Sequence, residues 1–439
     1  MKSLARRLAG LLGLRVFSLA IVFLQTIALT RFFGPEVFGQ FSFAVSVATI
    51  AMLAITMGLD QVLMRDLARV GRERAAQVGS WVVTYLFAQR FTLILSLLSA
   101  LMGTLLFAVT DLGGVYTPAL IWVFALVPFM VGRKFIESLL LGDHRPGASL
   151  MGSQMAQPLA MVLGVGIFMA LGWAAELGTL LTLFSVATIL STLTVFWLAR
   201  GLLPQLMPAP GVVRPELDHY RLMQSGWSFA LITLGFVIGQ HIDVLLIGIF
   251  GSPSEAAVVR IATRLAEMAG LVRAIAILQF KPRLAAAYGR RDMATVQRQA
   301  RQLATIFMGS GLLMTAGLLL FAEQAMSVFG EEFAIGAWPL RFYVLGVFFT
   351  MICGPCSIIM TLCDQERTAS RILWVALGTQ IALDVVLIPL YGPLGCAIAN
   401  FVSMLILGGA GLILTRTRLG IDTTIFSYFR TPHSGEHRS

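Results

Sequence analysis

Thr30-Arg31-Phe32-Phe33-Gly34-Pro35-Glu36-Val37-Phe38-Gly39 joins two long apolar runs, Leu8 to Leu29 and Gln40 to Met57. A helix crosses bilayer hydrocarbon in about 20 residues, so each run is long enough to span. Proline cannot continue a helix interior but fits its first turn, so Gly34-Pro35 predicts that one helix stops there and the next begins. A degenerate version appears in the second half. There Leu245-Leu246-Ile247-Gly248-Ile249-Phe250-Gly251 leads through Ser252-Pro253-Ser254 into another apolar helix. The chain reads as two copies of a bundle, each begun by this turn.

Composition points the same way. The 439 residues are 57% hydrophobic and 12% charged, with mean hydropathy +0.85. Soluble domains carry about 25% charged residues. No interior of this chain's own could hide so much apolar surface, so the expected class is an all-α polytopic membrane protein. The run from Leu8 is too long for a signal peptide and reads as a retained first span. The net charge of +10 recurs in short connections on one side, the positive-inside pattern, and predicts no nucleic-acid partner. Cys353-Gly354-Pro355-Cys356 lies inside an apolar run, where small residues for helix packing outweigh thiol chemistry.

About twelve spans are expected: 8–30, 40–61, 79–109, 118–141, 148–172 and 177–199, then 222–250, 254–280, 302–321, 336–362, 370–390 and 395–415. Even-to-odd connections hold Arg65, Arg69, Arg72, Arg74, Arg145, Arg200, Arg214, Lys281, Arg283, Arg290 and Arg367, and the tail adds Arg430 and Arg438. This asymmetry places both termini in the cytoplasm. The expected domains are a six-helix lobe over 1–200, a Pro-rich linker over 201–221, a second six-helix lobe over 222–415 and a cytoplasmic tail over 416–439. Met64-Arg65-Asp66-Leu67-Ala68 echoes Lys281-Pro282-Arg283-Leu284-Ala285 in the same topological slot. An even number of spans per half makes such repeats parallel, a construction many transporters use.

The Leu29–Phe41 stretch, Gly58-Leu59, Arg65-Asp66-Leu67-Ala68-Arg69 and the late run Leu383-Asp384 through Ile388-Pro389-Leu390-Tyr391-Gly392-Pro393 to Ala399 resemble a known family. It is the polysaccharide-transport branch of the multidrug/oligosaccharidyl-lipid/polysaccharide (MOP) exporter superfamily, the Wzx-type flippases. The resemblance implies a MATE-like fold of two pseudo-symmetric six-helix lobes opening alternately to either side of a bacterial inner membrane. It implies as substrate a lipid-linked oligosaccharide on polyprenyl pyrophosphate, feeding O-antigen, capsule or exopolysaccharide assembly, in many cases with an ion gradient. Membrane lipid and the polymerase and chain-length proteins of the same pathway are the implied partners.

Charges inside a bilayer are costly and usually face a cavity or a partner. At 1.5 Å per residue, Arg90 lies about 16 Å from the inner end of span three, Arg264 about 15 Å from the outer end of span eight, His241 about 13 Å from that of span seven, and Arg15 about 10 Å inside span one. Arg260, Arg264 and Glu267 share one helix face by their i, i+4, i+7 spacing. Arginine keeps its charge and presents forked donors that match phosphate oxygens, so a cationic central cavity suits a pyrophosphate. Arg15, Arg90, Arg260 and Arg264 are the expected headgroup contacts, and Gln25 and Gln240, with Thr26, Gln154 and Gln157, the expected sugar contacts. His241, Asp243, Glu267 and Asp384 are the expected ion-coupling groups. Each has a plain structural rival: Arg264 with Glu267 as a packing ion pair, Arg15 snorkelling to headgroups, His241 as a hydrogen-bonded packing residue. Arg133, Lys134 and Glu137, near a helix end, read as interfacial anchors, and Arg341 is ambiguous. No catalytic or metal-ligating constellation and no cofactor motif appears, so a non-enzymatic protein is expected. The rival function is a cation-coupled multidrug or small-molecule exporter of the same superfamily.

Overall fold

The structure, a computed structural model, describes residues 2–70, 79–202, 219–363 and 365–425. Arg72, Arg74, Arg214, Arg430 and Arg438, with nearly all of the expected linker, lie outside them. In chain order the helices are α1 (Lys2–Thr56), α2 (Leu59–Val70), α3 (Gly79–Val109), α4 (Thr117–Gly142), α5 (Pro146–Leu150), α6 (Gln157–Leu171), α7 (Leu177–Ala199), α8 (His219–Phe250), α9 (Pro253–Ala269) and α10 (Leu271–Gly289). There follow α11 (Met293–Leu320), α12 (Ala322–Ser327), α13 (Ala337–Ile352), α14 (Cys356–Leu362), α15 (Glu366–Tyr391) and α16 (Pro393–Leu419). Short 3₁₀ turns precede α4 and α13, and a π-helical turn, Met151–Ala156, separates α5 from α6. No strand occurs among the described residues.

The expected break at Gly34-Pro35 is present, but it is narrower than the sequence suggests. Helix continues on both sides, and only Gly34 leaves helical geometry, at φ 76° and ψ 173°. That combination is essentially closed to residues with a Cβ. The second-half turn is built differently. Ser252 Oγ accepts from the Glu255 amide at 3.3 Å while Glu255 Oε2 accepts from the Ser252 amide at 2.8 Å, a reciprocal capping box with Pro253 in the first turn.

Among the described residues, ten stretches are long and apolar enough to cross a membrane. The first, Gly13–Thr56, contains Gly34 and is two passes. The pair α9–α10 stands outside the ten because α9 is only 17 residues long and α10 carries Arg273, Lys281 and Arg283. Dividing the first stretch at Gly34 gives eleven of the expected twelve spans, and the pair α9–α10 occupies the place of the remaining one, 254–280. Boundaries differ where backbone chemistry intervenes: span 254–280 is interrupted at Gly270, and span 336–362 at Cys353–Pro355.

The chain forms two compact units, one reaching from the N-terminus to Gly248 with Ser252–Ala257, the other Ile249–Gly251 with everything from Val258. In the first, α4 packs on α1, α2, α3 and α7. The amphipathic α2 turns Leu59, Val62, Leu63 and Leu67 inward. Gly39 meets the Pro253 backbone so closely that a Cβ would collide with its carbonyl. In the second unit, α16 packs on both α13 and α15, and α10 packs on α11.

Candidate functional site: a cationic helix face and buried intramembrane charges

Helix α9 is two-faced. Ala256 to Val259, Ile261, Ala262, Leu265, Ala266 and Ala269 are buried, while Arg260, Thr263, Arg264 and Glu267 line the opposite face at i, i+3, i+4, i+7. Arg264 Nη1 lies 3.3 Å from Glu267 Oε2, with 41% and 46% of the two side chains exposed. An ion pair so open to its surroundings contributes little to packing and leaves the guanidinium accessible. Arg260, half-buried, makes no ion pair among the described residues. One turn past the Gly270 break, Arg273 Nη1 donates to Thr350 Oγ1 on α13 at 2.9 Å. Sequence reading passed over Arg273, which has no charged neighbour in its own turn to mark it.

The other expected contacts scatter. Arg15 is half-buried on α1, with its carbonyl accepting from Ser18 Oγ at 2.8 Å. Arg90 is exposed and shares its stripe on α3 with exposed Leu93, Ile94, Leu97 and Leu101, whereas Ala88, Thr92 and Ser96 are buried. Such an apolar stripe is the pattern of a lipid-facing surface, and it lends no support to a lumen-facing Arg90. Gln25 directs its amide at Met161 Sδ, 2.9 Å away, and Thr26 spends its hydroxyl on the Val22 carbonyl. Gln154 and Gln240 are exposed.

Of the ion-coupling set, His241 is buried with Nδ1 2.9 Å from Ser46 Oγ, and Asp243 is buried two residues on. Asp384 is fully buried on α15, one turn after buried Gln380. His241 and Asp243 belong to the first unit; Arg260, Arg264, Glu267 and Asp384 belong to the second. Arg341 stacks on Trp338, 4.6 Å from the ring centre.

One constellation overturns its sequence reading. Arg133 and Glu137 are not anchors reaching for headgroups: their side chains are only 14% and 12% exposed and 3.4 Å apart. Arg133 Nη1 donates to Gln157 Oε1 and to Ser191 Oγ, Gln157 donates on to Thr188, and Ser191 donates to the Gly152 carbonyl in the π-helical turn. The network ties α4 to α6 and α7.

Known proteins share this architecture. A family model described as polysaccharide biosynthesis protein matches residues 7–284, more than half of the chain. The chain belongs to this family. The match runs from Arg7 in α1 to Leu284 in α10, and so takes in Arg15, Arg90, Arg260 and Arg264. A second model, MatE, matches residues 229–386 and takes in Asp384. Among solved structures, the lipid II flippase MurJ in an inward closed conformation superposes with a TM-score of 0.71 at 14% identity, over 93% of this chain and 87% of that one. An inward-facing multidrug resistance MATE transporter of the MOP superfamily gives 0.70 at 15% identity, over 92% and 94%. The MATE multidrug transporter DinF-BH in complex with R6G gives 0.66 at 16% identity, over 95% and 96%. No curated protein matches in sequence. The resemblance carried by the turn motifs is thus borne out, and this polysaccharide biosynthesis family member is a multi-pass membrane protein with the MOP fold.

Proposed function

We propose that the chain is a flippase that moves polyprenyl-pyrophosphate-linked oligosaccharide across the bacterial inner membrane for O-antigen, capsule or exopolysaccharide assembly. The observation that carries this reading is the Arg260–Arg264 face of α9 in a chain of the polysaccharide biosynthesis family. A diphosphate stripped of water without partners faces a prohibitive barrier, and accessible guanidinium groups at membrane depth lower it. Translocation runs by alternating access between lobes 1–200 and 222–415, linked by 201–221, with both termini and the 416–439 tail in the cytoplasm. An ion gradient acts through buried Asp384, with His241, Asp243 and Glu267 as further coupling groups. The polymerase and chain-length proteins of the pathway are its partners.

In a strain lacking the gene, Arg264→Ala is expected to abolish surface polysaccharide at unchanged protein abundance, with Arg264→Lys restoring part of it. Normal export by Arg264→Ala and Arg260→Ala would remove this face from the mechanism.

The MatE match favours a second reading, a cation-coupled exporter of small molecules. An organic cation prefers an acidic, aromatic site, and the arginines of α9 oppose it. Drug susceptibility of the deletion strain separates the two: the flippase reading predicts no change.

A further inference from the structure

The Cys353-Gly354-Pro355-Cys356 motif packs its two cysteines against Gly408 and Gly411 of α16, and it also breaks the helix. α13 ends at Ile352, α14 begins at Cys356, and Gly354 between them has φ 79°. A break inside a membrane helix is tolerated only where its freed carbonyls find new donors. Here two donors reach the Cys353 carbonyl: Cys356 Sγ at 2.9 Å and, from 70 residues further along the chain, Thr423 Oγ1 at 2.7 Å. Cys356 Sγ lies 3.0 Å from the same hydroxyl.

Thr423 belongs to a short strap that follows α16, whose C-cap Gly420 takes the left-handed conformation. Ile421 is buried in the apolar cluster formed by α10, α11, α13 and α14. Gln297 on α11 grips the Asp422 backbone twice, Nε2 donating to its carbonyl at 2.7 Å and Oε1 accepting from its amide at 3.0 Å. The Asp422 carboxylate accepts from Arg416 at 2.8 Å and from the Thr424 amide and hydroxyl at 3.1 and 2.8 Å. A Cβ at Gly354 would collide with the Thr423 carbonyl, so the glycine is what admits the strap. All of these residues lie in the second unit. One apolar anchor and a handful of hydrogen bonds at the end of a helix are the signature of a segment that opens locally rather than with the global fold.

We infer that Gly420–Thr424 is a releasable latch on a hinge at Cys353–Pro355, and that the hinge bends during transport only when the latch lets go. Thr350, one turn before the break, holds Arg273 on α10, so bending there moves the attachment of the helix that follows the α9 arginine face. The latch rests on the transporter reading for its role in a cycle.

Thr423→Cys in the full chain places a thiol against Cys356, and oxidation with copper phenanthroline closes a disulfide across the hinge. Two readouts are taken: surface polysaccharide in cells, and amide hydrogen exchange of residues 350–359 in phosphatidylethanolamine–phosphatidylglycerol vesicles. The latch predicts that the closed bridge slows hinge exchange and export by about tenfold or more, that a reductant restores both, and that adding Cys356→Ala removes the effect. Export and hinge exchange at wild-type rates with the bridge closed would make the strap a static brace. Failure of the bridge to form would refute the docking itself. If the bridge controls hinge exchange in a protein whose unmodified form exports no polysaccharide, the latch stands and the flippase reading falls.

Discussion

Arg133 and Glu137 show what residue-level chemistry adds to a hydropathy profile. A buried ion pair is not retained for stability: its desolvation cost rivals its attraction, yet removing one partner strands a charge. Arg133→Ala is therefore expected to lower stability by about 3–5 kcal/mol, whereas Arg133→Met combined with Glu137→Leu recovers most of the loss. Thermal unfolding in detergent measures both, and a double variant no better than the single one would contradict the pairing. Asp422 gives a second test. Burial pushes its carboxyl up, but the hydrogen bonds from Arg416 and Thr424 outweigh burial and hold it below the ordinary carboxylate range. A carboxyl depressed in the folded state stabilises fully above its unfolded value near ~3.9 and loses that contribution as pH falls through the folded one. The groups facing it are Arg416 on α16 and the Cys356 thiol. Protection of the 420–424 amides should hold from pH ~8 to ~5 and fall only in stronger acid. A loss near neutrality would mean another group governs the strap. Neither feature was legible beforehand. Arg133 sits near a helix end in any sequence reading, and only the approach of α6 and α7 turns its head inward.

At the scale of elements, the turns were the most legible part. Gly34-Pro35 predicts a break because both residue types act through local backbone sterics, and such signals survive any tertiary context. The conformation at Gly34 makes the sharper claim that Gly34→Ala costs about 1–3 kcal/mol. Ser252→Ala, which removes a cap without straining the backbone, should cost about 1 kcal/mol. Reversing that order in equilibrium unfolding would contradict the account of the two turns. Less legible were interruptions inside apolar runs. Gly270 and the Cys353–Pro355 break sit in stretches that read as continuous spans, because hydropathy is blind to where a helix loses its ladder. The strap was invisible for a related reason: Gln297 and Thr423 look like ordinary polar residues until the fold brings them to a carbonyl with no helical donor.

For the whole molecule, composition alone dictated the class, and the family match with the MOP-fold neighbours agrees with it. The site was only partly legible. Spacing on α9 gave the Arg260–Arg264–Glu267 face, since periodicity fixes which residues share a side. It gave no information on Arg90, whose side of α3 depends on neighbours that a single helix does not reveal. The central claim is that the α9 face receives a diphosphate headgroup, and binding tests it most directly. Native mass spectrometry of the purified chain with polyprenyl diphosphate and polyprenyl monophosphate compares the two headgroups on one lipid tail. The account predicts preference for the diphosphate, with affinity falling about 100-fold or more in Arg260→Ala/Arg264→Ala, as loss of two charge-assisted hydrogen bonds worth about 1.5–3 kcal/mol each implies. Equal binding of both lipids by the wild type, or an unchanged affinity in the double variant, would contradict it.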